Sequence, residues 1–364
     1  MTDYSEKLRL RSGVTLQNRL MMSPMTTRQS FFDGQITRDE IAYYQERSQG
    51  LGAVITGAAN VQAGGKGWPG ELSVASDDMI PRLHELAKAI QGQGAKAILQ
   101  IFHAGRMTSR ATLSGEQPVS ASAVAAERPG AETPRELTDV EIKGIIRDFG
   151  EATKRAIVAG FDGVELHGAN TYLLQQFFSP HSNRRTDDWG GDRTHRATFI
   201  RRVIESTFAA VKETAERPFI VGYRLSPEEF ETPGIRFDDT LYLLTQLQQF
   251  PLDYIHVSLG NYDRVARGTD YQDKSMMAYM YEALDGQIPL VGVGGVRTRQ
   301  DVSNVLQEAD LVAVGQQLLF DPKWAVKLAL HQDKQMITAD FGSLVMTGQF
   351  TLPLRDFLER RYNK

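Results

Sequence analysis

Eight short apolar runs alternate with helix-sized segments along most of the chain, and this alternation constrains the fold more than any other feature. Strands that read as continuous apolar runs are typical of parallel sheets whose faces are covered by helices. The sequence therefore indicates an α/β protein. The predicted strands are Arg19–Met25, Ala53–Val61, Ala95–His103, Gly163–Gly168, Phe219–Ser226, Tyr254–Gly260, Pro289–Gly295 and Leu311–Gln316.

Two of the intervening segments carry strong helical signals. Residues 138–160 begin with Thr138 and Glu141, the spacing of a capping box, and end at Gly160, which favours termination of a helix. Residues 77–94 place their apolar side chains three or four positions apart, which predicts an amphipathic helix. These apolar residues are Ile80, Leu83, Leu86, Ala87 and Ile90.

Eight strand-and-helix repeats are what a (β/α)8 barrel requires, and we predict this barrel as a single domain over residues 1–364. A doubly wound open sheet is the structural alternative, but its glycine-rich fingerprint should follow the first strand, where this chain has "SPMTTRQS". Residues 1–18 are predicted to form a hairpin under the barrel. Residues 104–136 are predicted to form an excursion that lies over the active-site face or is partly mobile.

Composition excludes several classes of function. The chain has 41 Lys and Arg against 45 Asp and Glu, and 41 − 45 = −4, so no basic field favours nucleic acid or an anionic membrane. It has no cysteine, which excludes disulfides, thiolate nucleophiles and iron–sulfur clusters. No apolar run approaches the ~18 residues of a membrane span, and the N-terminus lacks a secretory signal. We expect a cytoplasmic protein without a metal ion, and a homo-oligomer is left open.

Polar side chains stand at the ends of several predicted strands, where active sites of this barrel form. Two glycine-containing segments, "VGVGGV" and "VAVGQQ", end strands seven and eight, and the loops after these strands are the usual phosphate site of the fold. Together these features predict a pocket for a phosphorylated ligand. The polar strand-end residues are Thr26, Gln100, His103, His167, Asn170, Arg224 and Gln316.

The fourth strand ends in an unusual cluster of His167, Asn170 and Tyr172. A helical turn at this spacing would place His167 and Asn170 on one side, where both could donate hydrogen bonds to one carbonyl or anionic oxygen. Tyr172 could supply a proton. The alternative interpretation is a buried histidine bonded to backbone, with the tyrosine packed beside it.

The stretch "ELHGANTYLLQQFFSPHSNRRTDDWGG", with Arg196 shortly after it, resembles the signature of the Old Yellow Enzyme family of FMN-dependent ene-reductases. The segments "NRLMMSPMTT", "LQIFHAGR", "VGYRLSP", "VGVGG" and "VGQQLLFDP" occur in family order, so the resemblance runs from roughly Asn18 to Pro322. It implies FMN as cofactor and NADH or NADPH as reductant. It also implies hydride transfer to an activated alkene such as an enone, enal or nitroalkene.

The resemblance also implies a role for individual residues. His167 and Asn170 would hold the substrate oxygen and Tyr172 would protonate the α-carbon. Arg224 would face the N1–O2 side of the flavin. The remaining cofactor-binding residues implied are Pro24, Met25 and Thr26 at the ring, Ala58 beside it, Gln100 at the pyrimidine edge, and Gly294, Gly295, Gly315 and Gln316 at the phosphate.

This chain departs from the family pattern at three positions. Gln316 replaces the usual arginine, so a bidentate phosphate contact is lost unless another basic group compensates. Thr26 stands where one branch has a redox-tuning cysteine. Arg28 stands where that branch often has a tyrosine that contacts substrate, which makes Arg28 a candidate substrate-binding residue.

Other functions remain open at this level. A long dienoyl-CoA reductase is disfavoured by the lack of cysteine and by the end of the chain at Lys364. An aldolase or isomerase barrel would need a lysine or carboxylate base, and no predicted strand ends in lysine. A flavin-binding protein, or a general flavin or quinone reductase with incidental ene-reductase activity, is the remaining alternative.

Overall fold

A computed structural model of the chain describes residues 3–348 and 350–362. Eight parallel strands form a ring in which each pairs with the next, and pairing of the third with the fourth completes it. The predicted (β/α)8 barrel is therefore confirmed. Its strands are β1 (Leu20–Met22), β2 (Ala53–Ile55), β3 (Lys96–Phe102), β4 (Gly163–Gly168), β5 (Ile220–Leu225), β6 (Tyr254–Val257), β7 (Leu290–Val293) and β8 (Leu311–Val314).

Most strands end earlier than their apolar runs, because the last residues of each run turn towards the site. The second run shows this most clearly: after Ile55 the chain leaves the ring, and Ala59–Asn60 pairs separately with the end of β3. Another short strand, Leu72–Ser73, pairs with Ala59–Asn60. The C-terminal rim of the barrel is thus built from loops rather than from extended strands.

Helices surround the ring. Those before β5 are α1 (Arg38–Arg47), α2 (Ile80–Gln91), α3 (Asp139–Val158), α4 (Leu173–Phe178), α5 (Arg193–Arg196) and α6 (Thr198–Thr214). Those after β5 are α7 (Phe237–Leu247), α8 (Met276–Leu284), α9 (Arg299–Val305), α10 (Gln316–Phe320), α11 (Trp324–Ala329), α12 (Phe341–Thr347) and α13 (Leu352–Tyr362). Within the described residues, no helix is both long enough and apolar enough to cross a bilayer.

Both helical predictions are confirmed. Helix α3 begins with the Thr138–Glu141 capping box, in which each side chain bonds the other's backbone N–H, and the chain turns away at Gly160 with φ 83°. Helix α2 buries Leu83, Leu86, Ala87 and Ile90 against the barrel. A single 3-10 turn, Asp77–Met79, precedes it and leaves Ile80 partly buried.

The N-terminal hairpin lies under the barrel, as predicted. Its strands, Leu8–Arg9 and Thr15–Leu16, pair antiparallel. The Ser12 N–H donates a hydrogen bond of 2.7 Å to Oδ1 of Asp253, which immediately precedes β6. Because β6 begins there, the hairpin covers the end of the barrel opposite the expected site.

Residues 104–136 and helix α13 lie at the other end of the barrel. Inside the excursion, Val119–Ser120 pairs in parallel with Arg135–Glu136, and Arg106 donates to the carbonyls of Val124 and Ala125. The excursion brings Arg128 beside Tyr172, and α13 brings Phe357 to the same place. Two remote segments therefore wall the C-terminal face.

Candidate active site

A cavity of about 430 Å³ opens at the C-terminal ends of the strands. Residues from the ends of β1, β4, β5, β6, β7 and β8 line it, so the closed ring brings together segments that are far apart in sequence. Ten predicted site residues line this cavity: Pro24, Met25, Thr26, Asn170, Tyr172, Arg224, Gly294, Gly295, Gly315 and Gln316.

His167 lies beside the cavity with its ring in edge contact with Tyr172, the two ring centroids 4.9 Å apart. The Ala169 N–H donates to His167 Nδ1 at 3.3 Å. Burial lowers the pKa of His167 well below its usual value, helped by the positive charge of Arg224, so the ring is neutral. Since Nδ1 accepts, the single ring proton is on Nε2, which is left as a hydrogen-bond donor.

Asn170 is held by two serines, one bonded to its side chain and one to its backbone. Arg224 donates to Ser258 Oγ at 3.1 Å, and the Ser258 hydroxyl in turn donates to Asn170 Oδ1 at 2.9 Å. The Asn170 N–H also donates to Ser226 Oγ at 2.9 Å. Because the amide oxygen is engaged, the amide NH₂ is the group left to bind a ligand.

The turn that carries Asn170 differs from the helical turn expected at this spacing. Asn170 and Thr171 both have left-handed backbone, with φ values of 55° and 67°. Asparagine tolerates this conformation better than most residues, since its short polar side chain forms local hydrogen bonds. The turn reverses the chain before α4.

Tyr172 lies in an aromatic cluster between the cavity and the excursion. Its ring meets Phe102 edge-on at 4.9 Å and lies 6.1 Å from Trp68, measured between centroids. Burial raises the pKa of the Tyr172 hydroxyl, and the nearby Glu71 raises it further, so the phenol keeps its proton at neutral pH. The group is thus a proton donor in its neutral form.

The loop after β7 requires glycine at its first two positions. Gly294 has φ 124° and Gly295 has φ 68°, and a Cβ on Gly294 would lie 2.8 Å from backbone atoms of Asn261. Within residues 3–348 and 350–362, neither N–H has an acceptor. Consecutive free N–H groups of this kind form a concavity that binds anionic oxygens.

A basic residue stands near the position where Gln316 replaces the family arginine. Arg297 lines the cavity with Gln316, and its guanidinium donates to Gln317 Oε1 at 3.0 Å and to the Ala339 carbonyl at 2.8 Å. Arg361, from α13, lines the same cavity. Arg297 therefore supplies a cation beside position 316 even though Gln316 itself is neutral.

Under the cavity, a buried carboxylate joins side chains from neighbouring strands. Gln100 Nε2 donates to Glu165 Oε1 at 2.7 Å, and His256 Nδ1 lies 2.9 Å from Glu165 Oε2. Burial opposes ionisation of Glu165, but His256, Arg224 and Gln100 together hold its pKa below the usual value. Burial lowers the pKa of His256, so its neutral ring donates the proton.

Four predicted site residues lie next to the cavity rather than in its lining. Gln100 is occupied with Glu165 below it, and His167 is buried behind Tyr172. Ala58 packs with Phe102 and Ala104 in a small apolar cluster that Trp68 and Tyr172 adjoin. Arg28 lies in an adjoining pocket that also contains Tyr172.

Several lining residues were missed by the sequence analysis. Ser258 could have been found from its place at the end of the sixth run, and Arg297 from its position directly after "VGVGGV". Nothing local in the sequence marks the others, because they reach the site from loops and from the C-terminal helix. These are Trp68, Arg128, Phe357 and Arg361.

Comparison with known proteins establishes the family. Residues 8–335 match the NADH:flavin oxidoreductase / NADH oxidase family. The chain belongs to this family. The predicted resemblance to Old Yellow Enzymes is also confirmed, since an Old Yellow Enzyme homologue from Zymomonas mobilis superposes with a TM-score of 0.81 at 25% identity, covering 98% of this chain and 99% of that one.

Two relatives from this family differ in how much of their length this chain covers. It is 45% identical over 97% of its length to the NADH:acrylate oxidoreductase of Vibrio harveyi, but spans 35% of that enzyme. It is 42% identical over 93% of its length to a probable NADH-dependent flavin oxidoreductase, YqiG, of Bacillus subtilis, and spans 91% of it. The chain thus corresponds to nearly all of one relative and to about a third of the other.

Family membership implies FMN and a nicotinamide reductant, and the residues present fit an FMN group. Arg224 Nε is buried without a hydrogen-bond partner among the described residues, as expected for a donor that faces a polar ring edge. The free N–H groups of Gly294 and Gly295, with Arg297 nearby, suit a phosphate.

Proposed function

We propose that this protein is an FMN-dependent NAD(P)H oxidoreductase that reduces activated C=C bonds, with Tyr172 as the proton donor. The observation that carries the proposal is the grouping of three donors beside one cavity, which Asn170 and Tyr172 line and His167 adjoins through its contact with Tyr172. His167 Nε2, the Asn170 amide and the Tyr172 hydroxyl each keep a free proton there. Two fit a substrate oxygen, and the third fits the carbon that gains a proton.

The cofactor-binding residues divide between the two ends of the cavity. The flavin ring would lie against Pro24, Met25 and Thr26, beside Ala58, with Arg224 at its N1–O2 edge. Gln100 would bond the pyrimidine edge through its side-chain carbonyl, because only its amide NH₂ is engaged with Glu165. Gly294, Gly295, Gly315 and Gln316 would surround the phosphate. When bound, FMN supplies two-electron hydride chemistry between the nicotinamide and the alkene.

The protein's own residues bind, polarise and protonate the substrate. His167 and Asn170 donate to the carbonyl or nitro oxygen, which draws electron density from the alkene and makes its β-carbon electrophilic. Tyr172 releases its proton to the α-carbon as the β-carbon gains hydride. The raised pKa of Tyr172 keeps it protonated until the α-carbon, a much stronger base, develops charge.

A second candidate function changes the acceptor and keeps the cofactor. The chain spans 35% of the acrylate oxidoreductase, so in that relative the similar region is one part of a longer protein. The corresponding role here would be to oxidise NAD(P)H and pass electrons to another flavin, a quinone or a partner protein. Alkene reduction would then be incidental.

Stopped-flow measurement of the two half-reactions tests the main proposal. FMN-loaded protein should be bleached by NADH or NADPH and should recover its colour with an enone. Tyr172→Phe should bleach at the parental rate but reoxidise with an enone ~10²–10⁴-fold more slowly, because it lacks the general acid. A nitroalkene, whose product anion is stable before protonation, should be affected less.

The matched control is Tyr281→Phe, which changes an exposed tyrosine on α8. This variant should keep the parental rates of both flavin bleaching and reoxidation by the enone. Tyr172→Phe reoxidising with the enone at the parental rate would reject Tyr172 as proton donor. Reoxidation by quinones or free flavins with no enone turnover would favour the second candidate. Release of FAD, or of no flavin after reconstitution with FMN, would reject both.

A further inference from the structure

A second pocket adjoins the cavity at Tyr172 and carries an unusual excess of positive charge. It measures about 430 Å³ and shares Thr26, Tyr172, Phe357 and Arg361 with the cavity described above. Arg28, Arg128 and Arg361 line it, and no aspartate or glutamate of the described residues does. We call it the arginine pocket, defined by these three arginines.

The three arginines come from three separate parts of the fold. Arg28 follows β1, Arg128 is in the excursion after β3, and Arg361 is in the last turn of α13. None of them has a carboxylate within ion-pair distance in residues 3–348 and 350–362. Arg128 and Arg361 are exposed, but Arg28 is partly buried with its Nε out of contact with water, and arginines removed from water are usually paired. Their convergence without acidic partners points to an anion from outside the chain.

Arg28 is the best-fixed member of the cluster. Its backbone is left-handed, with φ 54°, and Gly70 packs so closely that a Cβ there would lie 2.5 Å from the Arg28 carbonyl oxygen. Its guanidinium lies over the Phe357 ring, 5.2 Å from the centroid, and its Nε is buried without a partner. The side chain is thus held in place while its donors stay unused.

The acidic groups nearby do not neutralise the pocket. Glu71 does not line the arginine pocket: its side chain is buried and accepts a hydrogen bond from the Gly67 N–H at 2.8 Å. Asp356 does not line the arginine pocket; it lines a separate pocket together with Arg28 and Arg360. Positive charge therefore remains at the arginine pocket.

We propose that the arginine pocket binds the anionic oxygens of the molecule that reacts at Tyr172. This inference rests on the proposed function and names its ligand class. The ligand is a small molecule whose reactive end lies in the cavity and whose carboxylate or phosphate lies at Arg28, Arg128 and Arg361. Trp68 and Phe357 supply apolar walls between the two ends. The anion belongs either to a carboxylate-bearing alkene or to the phosphates of the nicotinamide dinucleotide.

Matched ligands distinguish these two sources. Monomethyl fumarate carries one carboxylate, whereas dimethyl fumarate has the same alkene and no charge. NADH carries phosphates, whereas 1-benzyl-1,4-dihydronicotinamide has the same reactive ring and none. Binding of the fumarate esters to oxidised FMN-loaded protein is measured by calorimetry, and the two reductants are compared by the concentration dependence of flavin bleaching.

Arg28→Gln should weaken binding of the charged member of one pair about tenfold, as expected for loss of a charge-assisted hydrogen bond, and leave its neutral counterpart unchanged. Arg128→Gln and Arg361→Gln, both exposed, should weaken it about two- to fivefold. Arg28→Lys, which keeps the charge, should recover part of the affinity. Added salt should weaken the charged ligand alone.

Arg202→Gln on α6 removes one exposed positive charge far from the pocket and should change none of these values. An effect confined to monomethyl fumarate assigns the anion to the alkene, and one confined to NADH assigns it to the dinucleotide. Equal effects on charged and neutral ligands, or no effect with all three Gln variants folded, would overturn the proposal. The fumarate esters are measured by binding to oxidised protein and the reductants by flavin bleaching alone, so failure of ene-reduction would leave both results readable.

Discussion

At the scale of single residues, burial keeps two histidines of the site neutral. His103 is fully buried, its Nδ1 accepts from the Gly105 N–H at 3.0 Å, and its Nε2 lies 3.0 Å from the Gln62 amide. Burial lowers its pKa to about 3. His167 is neutral for the same reason, which is what lets it accept from backbone and donate to a ligand.

The depressed pKa of His103 predicts a loss of stability in mild acid. The unfolded chain binds a proton at His103 below a pH of about 6.5, whereas the folded protein does not until about pH 3. Stability due to this residue is therefore present above pH 6.5 and falls as the pH decreases, by about 2 kcal/mol between pH 7 and pH 5.

Urea denaturation at pH 7 and pH 5 measures this loss. In His103→Gln the decrease in unfolding free energy between the two pH values should be smaller than in the parent by about 2 kcal/mol. Glu40 is buried and its pKa is raised to about 7, so protonation of Glu40 stabilises the folded protein as the pH falls. This contribution is the same in the parent and the variant and cancels in the comparison. His195→Gln, which changes an exposed histidine, should show the same decrease in unfolding free energy between pH 7 and pH 5 as the parent. An equally large decrease in His103→Gln would show that His103 does not cause the loss of stability in acid.

At the scale of elements, the loop after β7 depends on its backbone rather than on its side chains. Gly294 and Gly295 adopt positive φ, and Asn261 of the preceding βα loop packs against them. Both glycines line the cavity, and neither N–H has an acceptor among the described residues. A side chain at Gly294 would displace the loop and with it the expected phosphate contacts.

Gly294→Ala should therefore weaken FMN binding tenfold or more, the effect of losing one charge-assisted hydrogen bond. Titration of apoprotein with FMN measures the dissociation constant. Gly286→Ala is the matched control, since Gly286 also has positive φ, at 67°, but nothing lies within 4 Å of its added Cβ. Gly286→Ala should lose about 1 kcal/mol of stability and bind FMN with the parental affinity. If Gly294→Ala also kept the parental affinity, the backbone N–H groups after β7 would not bind the phosphate.

At the scale of the whole molecule, one buried carboxylate ties together the strands that carry the site. Glu165 on β4 accepts from Gln100 on β3 and pairs with His256 on β6. Strand β5 lies between β4 and β6, and its Arg224 is in register with His167 on β4 and with His256 on β6. The negative charge of Glu165 offsets the positive charge of the buried Arg224.

Glu165→Gln should lower the free energy of unfolding of the apoprotein by about 3 kcal/mol, because Arg224 would keep its charge without a nearby counter-charge. Urea denaturation measures the change. Glu205→Gln, at an exposed residue of α6, should stay within about 0.5 kcal/mol of the parent. A loss in Glu165→Gln no larger than in this control would show that the carboxylate does not offset Arg224.

Much of this protein was determined by local sequence pattern. The eight apolar runs predicted the barrel strands because a strand buried on both faces needs continuous apolar side chains, and Thr138 and Glu141 marked the start of α3 because capping is a contact between near neighbours. The cluster His167, Asn170 and Tyr172 was also readable, since all three residues lie at the end of one strand or just after it.

Tertiary structure alone decided how the site is completed. Asn170 is oriented by Ser258 and Arg224, which lie on other strands, and its left-handed turn was not apparent from its spacing to His167. Arg128, Phe357 and Arg361 reach Tyr172 from an excursion and a C-terminal helix. Periodicity reports which residues are buried along one element, whereas the meeting of unpaired charges from distant segments depends on how the elements pack.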